Sequence, residues 1–415
     1  MYAYGHQSYT FVCENFMSIV LTPRRETALL ITLMAMQFTS ILDFMIMMPL
    51  SSQLMEAFDI GTSQFGLLVS SYSLAAGTSA LIASSILDKF DRRQALFVSY
   101  VGLFLATLAC AFANDFLLLL IARVIAGLFG GVLGSIVLAI VGDVIPAERR
   151  GKAMSVVMLA FSLAAIAGVP LGLFIAAHFT WQTPFGLLAV ACCGILAIAW
   201  FLVPSVTGHL NQPPQNFWRS YYALLSVPNH WWGFATSSLI MAAGFMVIPY
   251  IAPSLIANVG LSQKELPYIY LVGGAVTLFT RPVIGSLTDK YRYASVMTVI
   301  TLMSFLPVIL VTHSLQIALA GQLAIAALFF ILVTGRFIPC SALIASSCTP
   351  QFRGRVMAFN SAVQNLGAGI AALVAGAIMS TDADGHILNY QWVGYLSCSV
   401  AVLAIISSWR VKRVS

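Results

Sequence analysis

Residues 116–142, FLLLLIARVIAGLFGGVLGSIVLAIVG, contain one charged side chain, Arg123. A helix crosses the hydrocarbon core of a bilayer with about 20 apolar residues, and this stretch is longer than that. Its overlapping Gly-x-x-x-Gly-type spacings, from Gly127 to Gly134, are typical of helices that pack closely inside membranes. The stretch therefore predicts a membrane-spanning helix that holds a buried arginine.

The rest of the chain has the same character. Of its 415 residues, 60% are hydrophobic and 8% are charged, whereas soluble domains carry about 25% charged residues. This composition excludes a soluble enzyme or a soluble helical repeat protein. The net charge of +6 is expected for a membrane protein whose Lys and Arg residues stay in the cytoplasm, so we expect no nucleic-acid partner.

Twelve apolar runs are long enough to span a bilayer. We predict an all-α polytopic membrane protein with twelve spans in two pseudo-symmetric six-helix bundles. The predicted runs are 27–50, 65–87, 96–113, 116–142, 153–176, 184–203, 231–255, 267–287, 294–312, 315–345, 356–380 and 392–409. The predicted division of the chain is a cytoplasmic tail (1–26), a first bundle (27–203), a polar, proline-bearing cytoplasmic linker (204–230), a second bundle (231–409) and a cytoplasmic tail (410–415).

The distribution of basic residues predicts the orientation of these spans. If the N-terminus is cytoplasmic, 16 of the 20 Lys and Arg residues fall in cytoplasmic segments, three lie within spans, and Lys264 alone lies in an outside loop. Positive charge accumulates on the cytoplasmic side of membrane proteins. Both termini are therefore predicted to be cytoplasmic, in the inner (plasma) membrane of a bacterium.

Two pairs of loop segments repeat along the chain. Asp88 and Asp289 are 201 positions apart, and Arg150 and Arg353 are 203 apart. The segments are SSILDKFDRR (84–93) with GSLTDKYRY (285–293), and PAERRGKAM (146–154) with PQFRGRVM (350–357). Two matches at nearly one offset indicate a duplicated six-span unit, which is typical of secondary transporters with a substrate site between the repeats.

These segments resemble the major facilitator superfamily, and within it the twelve-span drug:proton antiporter and sugar-efflux permease groups. The family loop motif after span two, Gly-x-Leu-x-Asp-(Arg/Lys)-x-Gly-Arg-(Arg/Lys), is similar to residues 84–93, where Ile86 stands at the Leu position and Ser84 and Asp91 replace the glycines; the second copy keeps Gly285. The fourth-span motif Arg-x-x-x-Gly is present as Arg123 and Gly127.

Two further segments resemble the efflux groups in particular. AGVPLG (167–172) is similar to their fifth-span glycine-proline motif, and LDFMIMMPL (42–50) places Asp43 six residues before Pro49, as in those groups. The resemblance covers nearly the whole chain. It implies the major facilitator fold and favours export.

Asp43 is the only carboxylate well inside a predicted span. A charged Asp there costs several kcal/mol unless it is paired or protonated, and a titrating carboxyl is what proton coupling requires. Asp43 and Arg123 each lie about 10 Å below the outer surface, at 1.5 Å per residue, so the two can pair. We assign both to proton coupling; a static ion pair that holds spans together is the alternative.

Other residues are candidates for substrate binding. Met36, Thr39, Ser40 and Met47 share a helical face with Asp43, which suits an amphipathic organic ligand; ordinary core packing is the alternative. Arg336 lies mid-span in TGRFIPC (334–340) with no intramembrane carboxylate to pair it. It favours a substrate with a carboxylate or phosphate, unless backbone carbonyls near a broken helix cap it.

A third group is assigned to conformational gating. Glycine and proline permit bends, the repeated loop aspartates belong to a charge network that the family resemblance implies, and Arg281 lies towards the cytoplasmic end of its span. The group comprises Asp88, Arg92, Arg93, Gly168, Pro170, Gly172, Arg281, Gly285 and Asp289.

The predicted function is a proton-coupled exporter, an antiporter that moves a small organic compound by alternating access. It would act as a monomer in the lipid bilayer, driven by the proton gradient. The sequence has no GxxxxGK[ST] phosphate loop, HExxH or GxSxG motif, so we expect no enzyme activity, no cofactor and no metal site. The alternatives are a uniporter or symporter of a metabolite anion, and a transporter-like sensor or membrane enzyme.

Overall fold

The computed structural model describes residues 22–86, 89–211, 222, 224–349 and 353–414. Within them, twelve helical segments are long and apolar enough to cross a membrane. We number them spans 1 to 12. Spans 1 to 6 are Pro23–Ile46, Thr62–Ile86, Arg92–Ala111, Phe116–Val144, Ala147–Leu163 continued by Val169–His178, and Thr183–Leu202. Spans 7 to 12 are Pro228–Val247 continued by Ile251–Ala257, Leu266–Lys290, Tyr293–Thr312, Leu319–Gly335 continued by Phe337–Ala345, Arg353–Ile378, and Tyr390–Arg410.

Capping residues account for several helix ends. Thr22, Asp91 and Asp115 each accept a hydrogen bond from a backbone N–H in the first turn of the helix that follows, which satisfies a group with no partner inside the helix. Span 1 begins at Pro23 and span 7 at Pro228, three or four residues before the predicted bundle boundaries. Proline is favoured in the first helical turn because its missing N–H is not needed there.

Span 1 ends at Ile46, before the predicted end at residue 50. Pro49 follows in a turn that leads to a short helix, Ser51–Phe58, since proline cannot continue a helix interior. Span 10 begins at Leu319 rather than at residue 315, after Ser314 in the left-handed region at φ 49°. Between spans 11 and 12, the strands Ser380–Thr381 and Ile387–Leu388 form an antiparallel pair.

The twelve spans form two bundles of the same construction. In the first bundle, span 1 packs on spans 5 and 6, and span 3 packs on spans 4 and 6. In the second, span 7 packs on spans 11 and 12, and span 9 packs on spans 10 and 12. The bundles meet where span 2 contacts span 11 and where span 5 contacts span 8. The pseudo-two-fold axis between the bundles relates these two contacts, because span 2 corresponds to span 8 and span 5 corresponds to span 11.

The hydrophobic core is arranged differently at the two ends of the molecule. We call the end where the described chain begins and finishes the termini face, and the opposite end the far face. Near the far face, one cluster of buried side chains contains residues of both bundles, among them Ile46, Phe65, Val247 and Ala372. Towards the termini face each bundle has separate clusters of its own. Among the described residues, the hydrophobic cluster that the two bundles share therefore lies near the far face.

Candidate functional site

A buried ion pair joins span 1 to span 4. Arg123 Nη1 lies 2.8 Å from Asp43 Oδ2, and the two side chains are 1% and 0% exposed. On the other side of the carboxylate, the Thr107 hydroxyl of span 3 donates a hydrogen bond of 2.9 Å to Asp43 Oδ1. Each carboxylate oxygen therefore has a donor. The arrangement meets the requirement that a buried charge be both paired and hydrogen-bonded.

An aromatic stack links this ion pair to the second bundle. The guanidinium carbon of Arg123 lies 4.6 Å from the ring centroid of Tyr72, within cation–π range. Tyr72 stacks on Phe44 at 4.9 Å, and Phe44 stacks on Phe245 of span 7 at 5.8 Å. Phe44 follows Asp43 directly in the chain. A change at the ion pair thus has a contiguous packed route to the opposite bundle.

The four side chains predicted to bind substrate, three on span 1 and Met47 in the turn that follows it, are all buried. Met36, Thr39, Ser40 and Met47 are 0%, 1%, 4% and 1% exposed. The Thr39 hydroxyl is 2.9 Å from the hydroxyl of Tyr100 in span 3. In this conformation their surroundings are protein side chains of the first bundle and of the shared core.

Arg336 lies at a break in span 10, between Gly335 and Phe337. Its guanidinium points into the second bundle, where Nη1 is 3.5 Å from Ser304 Oγ and Nη2 is 3.3 Å from the Ile240 carbonyl oxygen. The side chain is 1% exposed, and its Nε has no hydrogen-bond partner. No carboxylate pairs with it among the described residues.

The two buried arginines connect the same set of spans in their bundles, but they lie at different positions along the repeat, because they are 213 residues apart whereas the loop segments repeat at 201 and 203. Arg123 connects the first, third and fourth spans of the first bundle through Asp43 and Thr107. Arg336 connects the first, third and fourth spans of the second bundle through Ile240 and Ser304. The second bundle therefore also holds a buried guanidinium beside a hydroxyl of its third span, with a backbone carbonyl of its first span as the second acceptor.

Arg281 of span 8 reaches across to span 5 of the other bundle. Its Nη1 lies 3.3 Å from Ser162 Oγ, and its guanidinium carbon is 5.1 Å from the ring centroid of Phe161. Arg281 thus contacts both bundles, which is the position that a gating residue requires.

The glycine-proline segment of span 5 follows a π-helical turn, Ala164–Gly168. A Cβ on Gly168 would lie 2.9 Å from Leu42 Cδ1, and one on Gly172 would collide with Ile46 Cδ1. These glycines let span 5 approach span 1 close to Asp43. Gly285 of span 8, in contrast, has open space beside it.

The loop between spans 2 and 3 holds other predicted gating residues. Asp88 lies outside the described residues. Arg92 Nε lies 3.5 Å from Asp143 Oδ2 at the end of span 4. Arg93 donates a hydrogen bond of 2.7 Å to the Trp200 carbonyl oxygen, so it connects spans 3 and 6. Asp289, at the corresponding place in the second bundle, is exposed at the end of span 8.

Asp91, which replaces a family glycine, has a role that the sequence did not reveal. Its carboxylate accepts hydrogen bonds from Ser205 Oγ at 2.6 Å, the Val206 N–H at 2.8 Å and the Arg93 N–H at 2.9 Å. Burial raises the pKa of Asp91, but the hydrogen bonds outweigh it and the net pKa is lowered. Through these hydrogen bonds, Asp91 connects the start of the linker to the start of span 3.

Thr107 and Tyr72 were also missed by sequence reasoning. Each stands among many hydroxyl-bearing residues in the spans. Which of these residues contact the Asp43–Arg123 pair depends on how spans 2, 3 and 4 are rotated about their axes. The sequence pattern does not determine that rotation. Counting the depth of each hydroxyl-bearing residue along its span, as for Asp43 and Arg123, would have reduced the number of candidate residues.

Comparison with known proteins identifies relatives of this chain. The sequence model of the family described as Major Facilitator Superfamily matches residues 33–338 of this chain. The MFS-type transporter YtbD of Bacillus subtilis (strain 168) is 26% identical, covering 85% of this chain and 87% of its own. A probable sugar efflux transporter of Pasteurella multocida (strain Pm70) is 28% identical, covering 60% of this chain and 61% of its own.

Solved structures share the fold at low identity. The D-xylose-proton symporter superposes with a TM-score of 0.77 at 15% identity, covering 94% of this chain and 98% of that one. A bacterial homologue of the human lysosomal transporter Spinster, inward-facing and unoccupied, gives a TM-score of 0.73 at 15% identity, covering 94% and 95%. The predicted twelve-span, two-bundle architecture is confirmed.

Proposed function

The chain belongs to the major facilitator superfamily, and from this premise we propose that it is a proton-coupled exporter of a small organic compound. It is an integral membrane protein and a secondary transporter rather than an enzyme. The proposal concerns the direction of transport, the coupling to protons and the residues involved. It needs no cofactor, because the proton gradient supplies the free energy.

The observation that carries the proposal is the buried Asp43–Arg123 pair with its Thr107 hydroxyl. Protonation of Asp43 would remove the charge that holds Arg123, and Arg123 would then lack its counter-ion inside the bundle. A buried cation without a partner is costly, so protonation favours a rearrangement of spans 1 and 4. Thr107 can donate to the carboxylate and accept from a protonated carboxyl, which suits both states.

The rearrangement has a route to the second bundle. Arg123 packs on Tyr72, Tyr72 on Phe44, and Phe44 on Phe245. We infer that the release of Arg123 shifts this stack and so changes the contact between the bundles. Substrate and proton are exchanged if protonation of Asp43 favours release of the substrate outside and deprotonation of Asp43 favours binding of the substrate inside.

The orientation and the conformational state belong to the same proposal. The excess of basic residues supports cytoplasmic termini, and a bacterial inner membrane agrees with bacterial relatives. With the termini face inside, a core shared near the far face corresponds to an inward-facing state. The protein would then bind its substrate from the cytoplasm, as an exporter must.

Export is supported by the sugar-efflux relative of Pasteurella multocida and by the efflux-type segments of spans 1 and 5. For the substrate site we propose the region between the bundles beside Asp43. Met36, Thr39, Ser40 and Met47 surround that position on span 1 and in the turn that follows it, and they would contact substrate once spans 1 and 4 rearrange.

A second candidate function is a carrier of a metabolite anion, by symport or uniport. Arg336 favours it, because among the described residues this buried guanidinium has a hydroxyl at 3.5 Å and one backbone carbonyl at 3.3 Å as its hydrogen-bond partners. An anionic substrate that reached Arg336 would supply the missing counter-charge. In that case Arg336→Ala would abolish transport of carboxylates and phosphates, whereas an exporter of neutral compounds would keep its activity.

The experiment uses the purified protein in vesicles that contain a pH-sensitive dye. Sugars, organic acids and cationic drugs are added one at a time, and proton movement is recorded for the native chain, for Asp43→Asn and for the exposed control Asp384→Asn. We expect at least one compound to drive proton movement in the native chain and in the control, and none in Asp43→Asn. Substrate flux that persists without proton movement would contradict proton coupling.

A further inference from the structure

Four cations line one cavity at the termini face of the second bundle. The cavity, of about 570 Å³, lies between the ends of spans 9, 10 and 12, and its walls include Arg292, Arg410, Lys412 and Arg413. Its volume is within the range that holds small ligands, about 300–1,000 Å³. No ion pair among the described residues involves any of the four, so no carboxylate in this part of the chain pairs with the positive charge of the cavity.

The segment after span 12, which carries Lys412 and Arg413, is held in place by hydrogen bonds. Asn229 Oδ1 accepts a hydrogen bond from the Lys412 N–H at 2.8 Å, and Asn229 Nδ2 donates to the Lys412 carbonyl oxygen at 2.8 Å. The Val414 N–H donates to the Ser346 carbonyl oxygen at 3.0 Å. Because these bonds fix the backbone, little conformational entropy remains to be lost when an anion binds.

Aromatic rings orient the charged groups. The guanidinium of Arg413 lies 4.0 Å from the ring centroid of Tyr293, and that of Arg292 lies 4.6 Å from the ring of Trp409. The Trp409 indole donates to Thr298 Oγ1 at 3.0 Å and is 45% exposed. A partly exposed indole at the end of a span is typical of the headgroup level of a bilayer.

Cations, a fixed backbone and an indole at the headgroup level together point to a lipid. We propose that this cavity binds the headgroup of an anionic phospholipid. The phosphate would lie among Arg292, Arg410, Lys412 and Arg413, and the acyl chains would run along the exposed side of Trp409. Basic pockets between spans on the cytoplasmic side are suited to anionic headgroups. The proposal does not depend on the transported compound or on proton coupling.

The test counts lipids on the full-length protein by native mass spectrometry in detergent. Dioleoylphosphatidylglycerol is titrated against dioleoylphosphatidylcholine for the native chain, for Arg292→Gln/Arg413→Gln and for the control Arg24→Gln/Arg25→Gln. The control removes two exposed cations from the same face of the first bundle. We expect one tight phosphatidylglycerol on the native chain and the control, and about thirtyfold weaker binding of it by the cavity variant.

Three outcomes would overturn the proposal. The cavity variant could keep its affinity for phosphatidylglycerol, phosphatidylcholine could bind the native chain equally well, or inorganic phosphate at matched concentration could displace the lipid completely, which would indicate a site for free phosphate. If Arg292→Gln/Arg413→Gln does not elute as a single species on size exclusion, Arg410→Gln/Lys412→Gln replaces it with the same expected loss.

Discussion

At the scale of single residues, the two buried arginines differ in whether a carboxylate pairs with the guanidinium. Arg123 has a carboxylate partner at 2.8 Å, whereas the hydrogen-bond partners of Arg336 in the described part of the chain are Ser304 and the Ile240 carbonyl oxygen, at 3.5 and 3.3 Å. Removal of one member of a buried pair leaves the other charge uncompensated, whereas removal of an unpaired cation relieves a desolvation cost. The same substitution should therefore have opposite effects at the two positions.

We predict that Arg123→Met lowers the free energy of unfolding by about 3–5 kcal/mol and that Arg336→Met leaves it unchanged or raises it. The measurement is unfolding in mixed detergent micelles, followed by tryptophan fluorescence. The double variant Asp43→Leu/Arg123→Met should recover most of the loss, because no charge remains buried. Equal losses at Arg123 and Arg336 would show that the second arginine also has a counter-charge.

Asp91 carries a prediction about pH. Its pKa lies below the ordinary value of 3.8, so its contribution to stability is present above pH 3.8 and is lost as the pH falls through the lower folded-state pKa. We expect Asp91→Ala to cost about 1 kcal/mol at neutral pH, as the loss of a helix cap does. Stability curves for the variant and the native chain that stay apart at acid pH would contradict this assignment.

Sequence reasoning was sufficient for part of the site. The depths of Asp43 and Arg123 follow from counting residues along their spans, and the two are in contact. The rotation of each span about its axis is set by tertiary packing, which is why Thr107 and Tyr72 were not identified. The importance of Asp91 was hidden because it appeared only as a departure from a glycine motif.

At the scale of secondary-structure elements, the close approach of spans 1 and 5 depends on small residues. In the segment of span 5 where the sequence predicts a bend, the helix contains a π-helical turn, Ala164–Gly168. The positions of span ends were less predictable than their existence. Thr22 and the prolines at positions 23 and 228 start helices earlier than hydropathy indicated.

We predict that Gly172→Ala destabilises the protein by about 1–3 kcal/mol, the usual cost of overpacking, because its Cβ would collide with Ile46. Ile46→Val introduced with it should restore part of the loss, because it removes the Cδ1 methyl that the added Cβ would meet. Gly194→Ala in span 6, where no atom lies within 4 Å of the added Cβ, is the matched control. Similar thermal midpoints for Gly172→Ala and Gly194→Ala would refute this packing argument.

At the scale of the whole molecule, the shared core at the far face must separate if the protein alternates between two open states. Gln53 and Gln263 lie in far-face segments of different bundles, and their side chains are joined by a hydrogen bond of 2.6 Å. The two-bundle architecture itself followed from the loop repeat, because a duplicated unit folds twice in the same way. Which end is closed is a property of packing that the repeat does not encode.

We predict that a short bifunctional thiol reagent applied to Gln53→Cys/Gln263→Cys abolishes transport, because it ties the two bundles together at the far face. Each single variant treated with the same reagent should keep its activity, which controls for the exposed native Cys193. Full transport by the cross-linked double variant would mean that the far face does not need to open.

Proton coupling through Asp43 is the central claim, and proton release on substrate binding tests it most directly. A compound identified in the vesicle assay is added to the purified protein in weakly buffered detergent solution, and the change in pH is recorded. The account predicts that binding releases protons from the native chain and from Asp384→Asn, and releases none from Asp43→Asn. Equal proton release by Asp43→Asn, or binding to the native chain with no release, would contradict it.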